Sequence, residues 1–321
     1  MLSFREKIRS CGDYLISKRS PHDGGWALNI EKVFQVSSIV NTAEALFTIR
    51  AANLALNDAS QTIEFLKDAI QEHPKTRGNN LRYYVYGLLG LLYAGVDRTD
   101  SFVIETARIV EQRIIDGIGW AEHRADEDIR TWQTFLGLWV LNEIFGKTYV
   151  VANYQKCTNN IRKLGQENNY TWGWELAMAA RPSLAGTSFM LNILSLLFPD
   201  EPGLNRVQNN VIEMLDNALD KEKYLEVEAI SGTDWNHYSY CWALRAIHLC
   251  PVSLNEKGAG VTLKALKYIN SLFDGRGFRE PTGAICNTRS VFNNVMGIDS
   301  IIAGFDPGLY FLLEDISKQK K

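Results

Sequence analysis

Asp234 and His237 stand three residues apart in the segment Asp234-Trp235-Asn236-His237-Tyr238-Ser239-Tyr240, at the start of an apolar stretch. On a helix that spacing puts both side chains on one side, where the carboxylate can orient the imidazole or itself deliver a proton. The same pair can also serve as a helix cap, with Asp234 as the N-cap. A second acidic group, Asp126-Glu127-Asp128, precedes Arg130 and another apolar stretch. It supplies Asp126 and Asp128 as alternative acids, or a carboxylate cluster complementing the free N–H groups of a helix start. Asp234, oriented by His237, ranks first as proton donor and Asp128 second.

Four arginines, Arg82, Arg130, Arg181 and Arg289, lie at or just before apolar stretches, with Arg124 close by. Guanidinium forks beside the amides of helix N-termini can hold an anion such as a diphosphate. Pairing with Asp126, Glu127, Asp128, Glu175 and Glu280 is the alternative use of the same charges. The remaining histidines, His22, His73, His123 and His248, show no ligand spacing.

These residues are positioned by a repeat. An apolar helix-like stretch returns six times, about every fifty residues: Ser37 to Arg50, Leu81 to Gly95, Arg130 to Ile144, Ser183 to Leu197, His237 to Leu249 and Ser290 to Phe305. Each is apolar nearly all round and so must be buried on several sides. The segments between them are one-faced, as in Phe102 to Asp116, where Val103, Ala107, Val110 and Ile114 recur at helical spacing. No alternating strand pattern stands out. The expected fold is all-α: six helical hairpins closed into an (α/α)6 toroid of about twelve helices in two concentric rings, spanning residues 1–321 as one domain with a solvated tail at Ser317 to Lys321. Tyr83, Tyr84, Tyr86, Trp132, Phe135, Trp139, Trp235, Tyr238, Tyr240 and Trp242 gather in three inner segments. They can fill the middle of the ring or line a cavity, where each aromatic face stabilises a cation by about 0.5–2 kcal/mol.

Net charge is −3 and the pI near 6, which argues against a nucleic-acid partner. No apolar run reaches bilayer length and the N-terminus mixes charge among its apolar residues, so a cytosolic protein without a transmembrane segment is expected. Five cysteines without close pairs read as buried thiols.

Gly24-Gly25-Trp26 followed by Ser38, Thr42, Ala43 and Leu46, echoed by Trp174 with Ser183, Thr187 and Leu191, resembles the repeat of the terpenoid cyclase and protein prenyltransferase toroid superfamily. The resemblance spans six repeats. It implies a central apolar cavity for an isoprenoid chain with an anionic head, lined by inner-helix ends. The cyclase acid motif Asp-x-Asp-Asp-Thr-Ala is matched only in part by Asp126-Glu127-Asp128-Ile129-Arg130-Thr131. The prenyltransferase zinc pattern is matched around His237, but Leu184-Ala185-Gly186-Thr187-Ser188 stands where its Asp-x-Cys pair belongs. No metal site is therefore expected, since one histidine cannot hold catalytic zinc; Mg2+ would enter only with a diphosphate substrate, and no other cofactor is called for.

The expected function is an isoprenoid-handling enzyme, a class II-like terpenoid cyclase that protonates a polyene in a central aromatic cavity. One alternative is a noncatalytic toroid that binds a lipid or a protein. Another is a carbohydrate-active toroid, which would need two carboxylates facing one cavity, supplied by Asp128 and Asp234. Because many class II cyclases combine two toroids, a protein partner or homodimer closing the mouth is expected as well.

Overall fold

A computed structural model describes residues 2–304 apart from 33–35, 77–79, 124–127, 179, 231–232, 282 and 284. Arg124, Asp126, Glu127 and the tail at Ser317 to Lys321 lie outside the described residues.

The six all-apolar stretches are helices and form the inner ring. They are α2 (Ile39–Ala51), α4 (Leu81–Tyr93), α6 (Thr131–Phe145), α9 (Leu184–Leu197), α11 (Ser239–Leu249) and α13 (Thr288–Ala303). Each packs on the next in this order and α13 returns to α2, so the ring closes. The outer layer is α1 (Phe4–Ser17), α3 (Ser60–Thr76), α5 (Ser101–Glu111), α8 (Gln155–Glu167), α10 (Leu204–Asp220) and α12 (Glu256–Leu272). A thirteenth helix, α7 (Lys147–Asn153), is split from α6 by Gly146, whose φ of 83° an L side chain rarely adopts. Outer helices bury one face, as α5 does with Val103, Thr106, Ala107 and Val110. The toroid read from the repeat is thus the observed fold. No helix among the described residues is long and apolar enough to cross a membrane.

Three loops that set Gly beside Trp, at Gly25-Trp26, Gly119-Trp120 and Trp172-Gly173, lock α2, α6 and α9 to the outer helix before each. Trp26, Trp120 and Trp172 are buried, and their backbone N–H groups donate to Thr42, Thr134 and Thr187 Oγ1 at 3.0, 3.1 and 3.1 Å. That bond explains the spacing between Trp and Thr in the repeat. The Trp26 and Trp120 indoles also donate to Leu15 and Val110 carbonyls near the ends of α1 and α5. A loop of one repeat also caps the inner helix of another: Leu81, Thr131 and Thr288 N–H groups donate to the Glu122, Trp174 and Leu28 carbonyls. The last of these joins the sixth inner helix to the first loop.

One element departs from the helical expectation. Residues before α11 form an antiparallel hairpin, β1 (Glu226–Ile230) and β2 (Thr233–His237), with Glu228 opposite Trp235 and Glu226 opposite His237. The cue was present in Glu226-Val227-Glu228-Ala229-Ile230, where acidic and apolar residues alternate ahead of Ser231-Gly232.

Candidate functional site at the N-terminal mouth

The hairpin rewrites the relation between Asp234 and His237. In a strand, residues three apart point to opposite faces. Asp234 is exposed and shares the outer face with Asn236, whereas Trp235 and His237 point inward with Glu226 and Glu228. Asp234 is also not an N-cap, since α11 starts at Ser239 behind Tyr238. The partner of His237 is Glu228, at 3.0 Å from Nε2 and fully buried. No partner for Nδ1 occurs among the described residues. His237 stacks on Trp174 at 4.9 Å and meets Trp132 edge-on at 5.4 Å.

The hairpin straps the mouth made by the N-terminal ends of the inner helices. In the ring, α11 and α4 lie opposite each other, yet Trp235 reaches across to lie 3.4 Å over the Arg82 guanidinium. Glu226 turns to α9 and accepts the Leu184 and Ala185 N–H groups at 3.0 and 2.7 Å. The chain's own hairpin thus crosses this mouth.

Beneath the strap is a cavity of about 50 Å³, bordered by Glu44, Arg82, Tyr86, Trp132, Trp235, Asn236, His237, Tyr238, Trp242, Arg289 and Asn293, with two further apolar side chains. It holds about three to five waters at roughly 10–15 Å³ each, or the reacting end of a larger molecule.

Three buried glutamates lie at this mouth, Glu44 bordering the cavity itself, and none was picked out from the sequence. Glu44, in the middle of the first inner helix, accepts from Asn41 Nδ2 at 3.0 Å and lies 3.8 Å from Arg289. Burial pushes its carboxyl up to about 7 against the pull of Arg289. Glu122 accepts from Gln133 at 2.7 Å and faces Arg82 at 3.4 Å; burial raises its carboxyl too. Glu228 lies 4.0 Å from Arg130, which also meets Asp128 at 3.6 Å and Glu175 at 3.7 Å. Arg82, Arg130 and Arg289 therefore gather at the mouth as expected, but each faces a carboxylate. The N–H groups of Leu81, Thr131, Leu184, Ala185 and Thr288 are likewise occupied. Arg181 is exposed and does not border the cavity, and Asp128 is exposed on its loop.

The ring centre is filled. Trp132, Phe135 and Trp139 of α6, Phe189 of α9 and Trp242 of α11 interlock with ring centroids 4.5 to 6.3 Å apart. Phe47, Tyr93 and Phe292 complete the plug from the other side. The space left among Glu44, Tyr86, Tyr93, Trp139 and Phe292 is about 10 Å³, no more than one water. The hollow aromatic centre inferred from the superfamily is thus replaced by packed rings. Tyr83 and Tyr84 turn to His73 of the outer layer, and Tyr240 packs on Tyr224 and Tyr268 while bonding Asn294 at 2.9 Å. Of the aromatic candidates, Tyr86, Trp132, Trp235 and Tyr238 border the mouth cavity, and Phe135 lies in the plug. Among the described residues no three His, Cys, Asp or Glu side chains converge as a metal site.

Replacing Arg82 by methionine should leave Glu122 buried without its cation. The expected loss is about 1–3 kcal/mol at pH 8. It should shrink at pH 5, because removing the cation raises the carboxyl further and a neutral acid needs no counter-charge. Urea unfolding at both pH values measures this, and an equal loss at each would show that Arg82 contributes packing alone.

No protein-family model and no curated protein sequence matches the chain. Solved structures do. The α-1,6-mannanase of Salegentibacter sp. HEL1_6 superposes with a TM-score of 0.63 at 10% identity, covering 94% of this chain and all of that one. An inactive variant of that enzyme, changed at two consecutive aspartates and bound to α-1,6-mannotriose, superposes equally well at 11% identity. A type II terpene cyclase from Scytonema, in complex with geranylgeranyl dihydroxybenzoate, gives 0.58 at 11% identity over 94% of this chain and 97% of that one. At these identities the likeness shows a shared α/α toroid, a fold that serves both a glycan-cleaving enzyme and a terpene cyclase. This chain contains no two consecutive aspartates.

Proposed function

We propose that the strapped N-terminal mouth is an acid–base catalytic site that cleaves a C–O bond in a polar, hydroxyl-rich substrate. Glu44 is the acid and His237, held by Glu228, is the base. The observation that carries this reading is Glu44: a carboxyl inside an apolar helix, facing the cavity, that keeps its proton up to near-neutral pH. Such a group can protonate a leaving oxygen while the opposite base activates water. Glu44, two arginines, two asparagines and tryptophan faces border the cavity, a mixture suited to hydroxyl groups and sugar rings more than to a bare hydrocarbon. The mannanase likeness accords with this reading without choosing the substrate.

A second reading keeps the same acid and gives it to a polyene. It is favoured by the aromatic faces of Trp132, Phe135 and Trp242 directly beneath the mouth, which would stabilise a cation. It requires the plug to open. Asp234, the first choice of acid from the sequence, is an exposed strand residue in either case.

The deciding assay incubates the chain with oligosaccharides and aryl glycosides in one arm and with linear isoprenoids and their diphosphates in the other. Products are identified by mass spectrometry. Sugar release that is lost in Glu44→Gln and His237→Gln supports the first reading, and a cyclised hydrocarbon lost in Glu44→Gln supports the second. No product in either arm, or full turnover in both variants, would leave a noncatalytic toroid that binds a lipid or protein.

A further inference from the structure

The opposite mouth, at the C-terminal ends of the inner helices, holds a far larger cavity of about 550 Å³. That volume lies within the range of small-molecule sites. Its floor is the underside of the aromatic plug, Phe47, Tyr93 and Trp139. Four arginines surround it: Arg5 and Arg9 from α1, Arg50 from α2 and Arg245 from α11. None of the four guanidinium groups makes a hydrogen bond or an ion pair within 4.0 Å among the described residues. Arg245 lies 5.1 Å over the Trp139 ring, and its Nε is buried with no partner. Arg50 lies 5.7 Å over Tyr93.

Three acids border the same space, and two of them are already engaged. Glu6 closes the capping box of α1 with Ser3, and Glu143 accepts from the Trp139 indole at 3.1 Å. Glu143 and Asp299 both draw on Arg245, and Asp299 draws on Arg5 as well. Converging helix C-termini carry partial negative charge and repel an anion, so arginines are needed there in some number before any anion could bind. Four guanidiniums stand against three acidic side chains in this cavity, an excess of one basic group. Planar forks match phosphate oxygens, and an aromatic floor takes a ring or an apolar chain.

We propose that this C-terminal mouth binds an organic phosphate. The rim arginines Arg5, Arg9 and Arg50 grip the phosphate, Arg245 donates from below, and the organic body rests on Phe47, Tyr93 and Trp139. The site is independent of the acid–base mouth on the other side of the plug.

Titration calorimetry on the full chain, with phenyl phosphate, inorganic phosphate and benzoate as probes, tests this. Phenyl phosphate should bind saturably and at least about tenfold tighter than either control, because only it combines a ring with a dianion. The affinity should fall with added salt. Arg9 and Arg50 are exposed, so Arg9→Ala and Arg50→Ala should fold normally, keep the same Tm without ligand, and each weaken binding about tenfold. Glu44→Gln should bind phenyl phosphate as wild type does, which separates this site from the catalytic proposal. No saturable binding, equal binding of benzoate, or an Arg9→Ala/Arg50→Ala double variant with unchanged affinity would overturn it.

Discussion

Truncating Trp120 to alanine is expected to destabilise the fold by about 3–5 kcal/mol, the cost of emptying a large aromatic site in a core that cannot collapse around it. Trp120 is fully buried between α5 and α6. Its indole N–H donates to the Val110 carbonyl at 2.8 Å, its backbone N–H to Thr134 Oγ1 at 3.1 Å, and its ring lies against Gly137. A Cβ at residue 137 would stand 2.8 Å from the Trp120 ring, so helix and indole are fitted to each other. Thr134→Val keeps the shape but orphans the Trp120 N–H and should cost less, about 1–3 kcal/mol. Trp174, half-buried at the mouth, is the comparison: Trp174→Ala should fall well below Trp120→Ala. Urea midpoints at constant m-value give these numbers. A Trp120→Ala loss under about 1 kcal/mol would mean that the Gly-aromatic loops do not lock the repeats.

Glu44→Gln should remove the fall in stability that Glu44 itself contributes between about pH 5 and 8. The carboxyl rises from 4.5 in the unfolded chain to about 7 in the folded one, because burial penalises its charge more than Arg289 and Asn41 favour it. The folded state therefore holds an extra proton between these values. Its stabilising effect is complete below pH 4.5 and is lost as pH rises through about 7. At about 1.36 kcal/mol per pH unit the loss by pH 8 is about 3 kcal/mol. The substituted glutamine carries no charge at any pH, so the variant should match wild type near pH 5 and exceed it at pH 8 by roughly that amount. Under the acid–base reading the same substitution lowers kcat by about a hundred- to ten-thousand-fold, and the wild-type rate falls above about pH 7 as Glu44 ionises. Parallel pH profiles of stability in wild type and variant would show that Glu44 is not the buried acid of the mouth.

Both expectations depend on features legible to very different degrees in the amino-acid order. The repeat is local. Trp26, Trp120 and Trp172 precede Thr42, Thr134 and Thr187 at nearly constant spacing because one hydrogen bond must be made in each unit. The inner helices are apolar on every side because each is flanked by inner neighbours and covered by the outer ring. The toroid and the bounds of its inner helices, such as Leu184–Leu197 for the stretch Ser183 to Leu197, therefore followed from patterns within each repeat. So did the gathering of Arg82, Arg130 and Arg289 at one end, since residues at the same repeat phase end at the same mouth.

The chemistry of the mouth was decided between repeats. Glu44 reads as one acid in an apolar helix until α13 closes beside α2 and places Arg289 against it. Glu122 gains its meaning from Arg82 of the preceding repeat, and Glu228 from a hairpin whose pairing turns His237 inward and Asp234 out. A residue's solvation and charge partners are set by what the closed ring brings to it. A three-residue helical spacing applied to a strand consequently chose the wrong carboxylate for His237. Whether the centre is hollow was likewise undetermined by the aromatic content of three segments, because large rings line a space or fill it according to how their neighbours interlock. Here α6, α9 and α11 interdigitate their rings, and the space that remains lies at the two mouths.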